Sequence, residues 1–390
     1  MTEPRFADRS AASPFVRDRQ TLAVYALLAV LTSGYGIIGP LMPFLRADLG
    51  LSFTEGSYHT VALAAGTNIV GLFGQRLVLA LGRRGAVALN LILLVLAQIL
   101  LAQATSLWMS LLASLLFGGT VALSICVVPA VMAERHGAQL GLAIAEANVL
   151  AYVGILIVPG IVSIAAMVAG WRWSYLVPVL AYGVYWLMVR GIDFGTARPV
   201  ARGGRGGTLG FAFWCYWSFL MLGISAEFGL VVWGVSYLET VAAMPRGLAL
   251  WSSMIFPAGM IVGRIAGAVA MRRQPAGRLV LPTVVLALAG VLTFITSATP
   301  AFSILGLFLS GIGIANFYPV GITLAMFAAP QAPDAAAARA SLASGMAILI
   351  APLVLGAIAD RAGIGAAFQA IPVLIVLSGL AALGARFRRG

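Results

Sequence analysis

Apolar residues run along this chain in blocks of roughly twenty or more, separated by short breaks that carry Arg, Pro, Gly or acidic residues. About 20 apolar residues, wound as a helix, cross the ~30 Å hydrocarbon layer of a bilayer. Such blocks occupy residues 21–45, 55–76, 85–103, 107–133, 140–167, 173–192, 210–238, 248–271, 277–298, 301–329, 337–359 and 365–385. The pattern predicts an all-α membrane protein with twelve transmembrane helices. The longest break, residues 193–209, carries Arg198, Arg202 and Arg205 among glycines and reads as a flexible linker. It divides the chain into a tail (1–20), a six-helix bundle (21–192), the linker, a second six-helix bundle (210–386) and a last short tail (387–390).

Composition sharpens this picture. Of the 390 residues 61% are hydrophobic and only 9% are charged, against about 25% charged in ordinary soluble domains. Mean hydropathy is +1.02. Too few charges remain for a soluble shell, which excludes a cytosolic enzyme, a nucleic-acid-binding protein and a disordered chain. The net charge of +12 comes from 24 basic residues, all arginine, and 12 acidic ones. Those arginines concentrate in loops rather than in a patch. With the N-terminus inside, 19 of the 24 fall on the cytoplasmic side. This asymmetry places both termini in the cytoplasm of a multi-pass plasma-membrane (bacterial inner-membrane) protein. Cys126 and Cys215 lie inside apolar blocks and read as small buried hydrophobes.

The two halves share short matches. Ile155–Pro159 parallels Ile348–Pro352 at an offset of 193, and Gly118 and Gly311 share that offset. Ala65-Gly66 near the middle of block two parallels Ala258-Gly259 in block eight. A parallel duplication places a solute site near the midplane, between the halves.

Three segments carry a family likeness: Gly170-Trp171-Arg172-Trp173 between blocks five and six, Gly82-Arg83-Arg84 after block two, and Gly356 to Gly363 at the end of block eleven. On these the chain resembles the major facilitator superfamily over essentially its whole length. Leu79 stands where that family's loop signature has Asp, and Val158-Pro159 stands in place of its antiporter Gly-Pro. The second half resembles the fucose-permease-like branch through Gly223, Glu227, Gly311, Gly313, Asn316 and Pro319. The resemblance implies a secondary transporter working by alternating access.

Charges within spans are costly and mark function by default. Glu227 falls near the middle of block seven, beside Trp214, Trp217, Trp233 and Tyr237. A carboxylate there can take a proton, a cation or a sugar hydroxyl. The substrate or proton-coupling residues expected are Glu227, Trp217, Trp233, Tyr237, Asn316, Tyr318 and Asn68. Helix–helix hydrogen bonding is the alternative role for the asparagines. In the family that the chain resembles, spans five and eight pack together, so Glu146 and Arg264 are expected as an inner gate. Glu55, His59 and Arg361 are the matching outer-gate candidates, with solvated rim charges as the alternative.

No phosphate-binding loop, metal-ligand cluster or nucleophile motif occurs, so neither a cofactor nor a metal is expected and the chain does not read as an enzyme. The expected partners are a small-molecule solute, protons and the lipid bilayer, with no nucleic acid and the chain acting as a monomer. A multidrug proton antiporter and a non-transporting receptor on the same fold are the alternative functions.

Overall fold

The computed structural model describes residues 15–136, 140–196, 209–297, 299–330 and 333–387. Residues 1–14, 388–390 and most of the expected linker lie outside the described residues. All regular structure among the described residues is helical. In chain order the helices are α1 (Arg19–Gly36), α2 (Ile38–Leu49), α3 (Phe53–Ala102), α4 (Leu107–His136), α5 (Leu140–Val168), α6 (Leu176–Val189), α7 (Phe211–Thr240), α8 (Arg246–Ser253), α9 (Ile255–Arg273), α10 (Ala276–Thr296), α11 (Pro300–Ile314), α12 (Phe317–Ala328), α13 (Pro333–Ala362), α14 (Ile364–Phe368) and α15 (Ala370–Phe387), with a 3₁₀ turn at Trp171–Tyr175. Ten helical stretches among the described residues, several of them bent, are long and apolar enough to cross a membrane.

Ten differs from the expected twelve at two places. Blocks two and three run together as the 50-residue α3, broken only where Gly82 adopts φ 69°. That left-handed backbone suits glycine, which has no Cβ to clash. At 1.5 Å per residue α3 traces about 75 Å, far more than one bilayer crossing. Block six is split between the 3₁₀ turn and the 14-residue α6.

Several expected spans are bent rather than straight, and one residue type places the bends. The breaks fall at Ile37, Met254, Asn316 and Gln369. Each lies three residues before a proline: Pro40, Pro257, Pro319 and Pro372. Proline has no N–H to continue the i→i−4 ladder, and its ring crowds the carbonyl of residue i−4.

Glycine sets the closest helix crossings. A Cβ on Gly66 of α3 would lie 1.9 Å from the Leu115 carbonyl oxygen, and one on Gly118 of α4 would lie 1.9 Å from the Leu63 oxygen. The same crossing recurs between α9 and α11, where Gly259 meets the Phe308 oxygen and Gly311 meets the Phe256 oxygen, both at 2.3 Å. All four residues of the second crossing are those of the first shifted by 193, the offset of the sequence matches. Small residues let backbones approach in this way where lipid supplies no hydrophobic drive between helices.

Candidate functional site

A cavity of about 290 Å³ opens where α1, α2, α5, α7 and α9 converge. One face of each helix lines it, at helical spacing. From α5 these are Asn148, Ala151, Tyr152, Ile155 and Pro159; from α7, Glu227, Val231, Gly234 and Leu238. Tyr35 from α1, Gly39 from α2 and Phe256 and Met260 from α9 also face it, and α3, α4, α8, α11 and α13 add Thr60, Val121, Ser253, Leu307 and Ile348. Its volume is at the small end of small-molecule sites, and its lining is mostly apolar, as such sites are.

Much of the polar side-chain capacity in the wall is already used on the protein's own backbone. Thr32 Oγ1 donates to the Ala151 carbonyl at 2.9 Å, Asn148 Nδ2 to Ile144 at 2.9 Å, Thr60 Oγ1 to Ser57 at 2.8 Å and Ser253 Oγ to Leu250 at 2.7 Å. Three side chains from three helices instead bond to one another. Arg264 Nη2 of α9 donates to the Tyr152 hydroxyl of α5 at 2.7 Å, and that hydroxyl donates to Glu227 Oε1 of α7 at 3.2 Å. The Arg264 guanidinium also lies over the Tyr152 ring, 4.5 Å from its centroid. Arg264 Nε is buried with no hydrogen-bond partner among the described residues. A carboxylate on the cavity wall is thus joined through a phenol, also on the wall, to a guanidinium behind it, so proton occupancy of the carboxylate sets the net charge of the site.

The end of the bundle poor in arginine is held shut by contacts between the first and second parts of the chain. Asp360 of α13 accepts from the backbone N–H groups of Phe53 at 2.6 Å and Thr54 at 2.7 Å. These are orphan donors of the first turn of α3, where a carboxylate also meets the positive end of the helix dipole. Ser57 Oγ donates to the Pro352 carbonyl at 2.7 Å, and Trp233 Nε1 donates to the same oxygen at 3.1 Å. Arg46 stacks on Phe53 at 3.4 Å from the ring centroid, and Phe53 meets Trp233 edge-on. Nearby, the Trp-Arg pair of the Gly-Trp-Arg-Trp segment ties the last turn of α2 to the end of α3. Trp171 Nε1 bonds Asp48 at 3.0 Å, and Arg172 Nη1 bonds the Ala102 carbonyl at 2.6 Å. Asp360→Ala is expected to weaken the closed end by about 1 kcal/mol, the typical value of a helix cap. In that variant, maleimide labelling of a cysteine at Thr60, on the cavity wall, should speed up severalfold from the arginine-poor side.

At the opposite, arginine-rich end the chain start is clipped to the bundle. Arg17 bonds Glu146 through Nε at 2.9 Å and Nη2 at 2.6 Å, and the Tyr25 hydroxyl donates to Glu146 Oε2 at 3.2 Å. The hydrogen bond to Glu146 holds the Arg17 guanidinium above its ordinary value. Asp18 caps α1 by accepting from the Thr21 N–H and pairs with Arg135. Arg83, almost fully buried, pairs with Glu134 at 2.6 Å and donates to the Phe194 carbonyl at 3.0 Å.

Among the substrate candidates from the sequence, Glu227 alone lines the cavity. Trp233 is fully buried at the closed end. Tyr237 donates to the Ile295 carbonyl and packs on Phe294 and Phe368. Trp217 Nε1 donates to the Arg339 carbonyl. The cause is helical phase: at 100° per residue Trp233 lies 240° around α7 from Glu227, on another face. Asn68 bonds the Ala64 carbonyl of its own helix. Asn316 sits at the α11–α12 break and donates to Gly263 at 3.0 Å, while Tyr318 is exposed. Glu146 and Arg264 are not brought together: Arg17 and Tyr25 hold the first, Tyr152 the second. Nor are Glu55 and Arg361. Glu55 forms a capping box with Ser52, and Arg361 is exposed. His59 is buried between the Gly56 carbonyl and the Ser110 hydroxyl, each at 2.9 Å. Tyr152 and Asp360 were not among the site candidates. For Tyr152 the signal was its spacing of four from Asn148, one turn along the same face of α5.

The sequence profile of the Major Facilitator Superfamily matches residues 24–338. A search of curated proteins found no match. Solved structures share the fold at low sequence identity. A bacterial homologue of the human lysosomal transporter Spinster, inward-facing and unoccupied, superposes with a TM-score of 0.70 at 14% identity, covering 96% of this chain and 97% of that one. The nucleoside transporter NupG, in a mutant form, gives 0.72 at 13% identity, covering 94% and 100%.

Proposed function

Because this chain belongs to the Major Facilitator Superfamily, as the profile match across most of its length establishes, we propose that it is a secondary transporter. It carries a small organic solute across the bacterial inner membrane by alternating access, coupled to protons through Glu227. The carrying observation is the Arg264–Tyr152–Glu227 chain, whose phenol and carboxylate line a mostly apolar cavity between helices from the first and second parts of the sequence. A carboxylate there can gain or lose a proton, and its charge is felt by three helices whose relative packing differs between states.

The recurrence of the glycine crossing at an offset of 193 supports two six-helix halves around that cavity. The 50-residue α3 and the short α6 supply the two crossings beyond ten, giving twelve. Arginine bias puts the Arg17–Glu146 end and both termini in the cytoplasm. The contacts closing the Asp360 end then support an inward-facing conformation. The chain works as a monomer.

The test is a thermal-shift panel of sugars, organic anions, nucleosides and lipophilic cations at two pH values, with Glu227→Gln as control. A ligand that binds only the folded state raises the melting temperature by mass action. A selective hit that disappears, or loses its pH dependence, in the variant is the expected result. A hit that Glu227→Gln binds with unchanged pH dependence contradicts the assignment.

A further inference from the structure

The charges of the site select a class of solute. Arginine stays protonated under all working conditions, so Arg264 is a permanent charge within the bilayer, where unpaired charge is costly. Its stabilising contacts are the Tyr152 hydroxyl and ring, with Glu227 beyond that hydroxyl, and its Nε has no partner among the described residues. When Glu227 is ionised the site is neutral. Protonating Glu227 alone leaves Arg264 uncompensated, and adding an anion alone leaves Glu227 uncompensated. A proton and a monoanion together restore neutrality. A cation has no such balanced loading, because binding to ionised Glu227 leaves a net positive site.

The cavity wall in front of Tyr152 and Arg264 bears on the body of the solute. Thr32, Thr60, Asn148 and Ser253 spend hydrogen-bond capacity on backbone carbonyls, while Phe228, Phe256 and Met260 present apolar surface. A polyhydroxy compound would leave many hydroxyls unpaired there, which is expensive in an apolar site.

Resting on the transporter reading above, we infer that the solute is an organic monoanion with an apolar body, recognised by Arg264 and carried together with one proton on Glu227. The anion takes the place of the Tyr152 hydroxyl on the guanidinium. The proton comes from the water on the side from which the solute enters and leaves with it on the other, so each cycle moves no net charge.

Full-length protein in detergent and in liposomes tests this. Benzoate, octanoate and benzenesulfonate are the anionic probes; benzyltrimethylammonium and benzyl alcohol are the cationic and neutral counterparts. At least one anion should raise the melting temperature, and Arg264→Gln should weaken that binding at least tenfold, with Arg264→Lys recovering part of it. Lysine also serves if the glutamine variant does not fold. Uptake of benzenesulfonate, which does not cross bilayers as a neutral acid, should follow a pH gradient and ignore a potassium–valinomycin potential. Glu227→Gln should bind anions without pH dependence and exchange them without accumulation.

The inference is overturned if no anion binds, if binding survives loss of Arg264, or if the potential drives uptake. A cationic or neutral ligand lost in Glu227→Gln would overturn it while leaving the transporter site standing. A ligand indifferent to Glu227→Gln would overturn both.

Discussion

Gly118→Leu is expected to abolish folded protein, whereas Gly183→Leu is expected to leave yield and melting temperature unchanged. The difference lies in what surrounds each glycine. At Gly118 the first side-chain carbon alone would stand 1.9 Å from the Leu63 carbonyl oxygen and 2.7 Å from the Thr67 nitrogen. Both are backbone atoms, so no rotamer change relieves the clash and α3 and α4 must separate. Overpacking a tight core costs about 1–3 kcal/mol even when side chains can adjust; here an entire helix pair moves. At Gly183 nothing lies within 4 Å. Gly311→Leu should repeat the Gly118 result, since its Cβ would meet the Phe256 carbonyl at 2.3 Å. Size-exclusion profiles and melting curves of the three variants check this.

The second large effect is an asymmetry between two charge removals. Without ligand, Glu227→Gln is expected to destabilise the protein more than Arg264→Gln. Removing one partner of a partly buried charge pair is costly, because the other charge is left uncompensated. Arg264 cannot shed its proton, so Glu227→Gln strands a fixed charge behind Tyr152. Glu227 can accept a proton, so Arg264→Gln leaves a neutral acid. The double variant should be more stable than Glu227→Gln alone, since it removes the stranded charge at the cost of a slightly shorter side chain at Arg264. Melting temperatures of the four proteins at one pH give the coupling directly. Equal losses for the two single variants, adding in the double, would show that the groups do not interact.

Much of the fold was legible because bilayer physics leaves few choices. Apolar blocks reappear as long helices, and the paired glycines at one offset reappear as matching helix crossings. The bends were legible in principle, as each precedes a proline by three residues. Where the helices run on or fall short was not: Gly82 joins α3 to its continuation through a backbone angle that hydropathy does not register. In the site, Glu227 stood out because a carboxylate in an apolar block has few explanations. Its partner did not. Tyr152 passes for an ordinary apolar aromatic in sequence, and only the convergence of three helices gives its hydroxyl its place. Nearness along α7 misled for Trp233 and Tyr237, which leave Glu227 on a different face. Glu146 and Arg264 stand apart in this structure, where Arg17, in a polar stretch ahead of the first span, occupies the Glu146 carboxylate. Asp360 acts through backbone N–H groups, for which no partner side chain advertises the contact.

In the proposed cycle the charge state of Glu227 governs which way the cavity faces. Spin labels at Gln103 and Arg361, with Cys126 and Cys215 replaced, report the separation of the two sides of the Asp360-capped end. Pulsed distance measurements in lipid from pH 5 to pH 8 are expected to show two populations whose ratio changes with pH in the wild type. In Glu227→Gln the ratio should be fixed across that range. A Glu227→Gln protein whose populations shift with pH as the wild type's do would contradict the account.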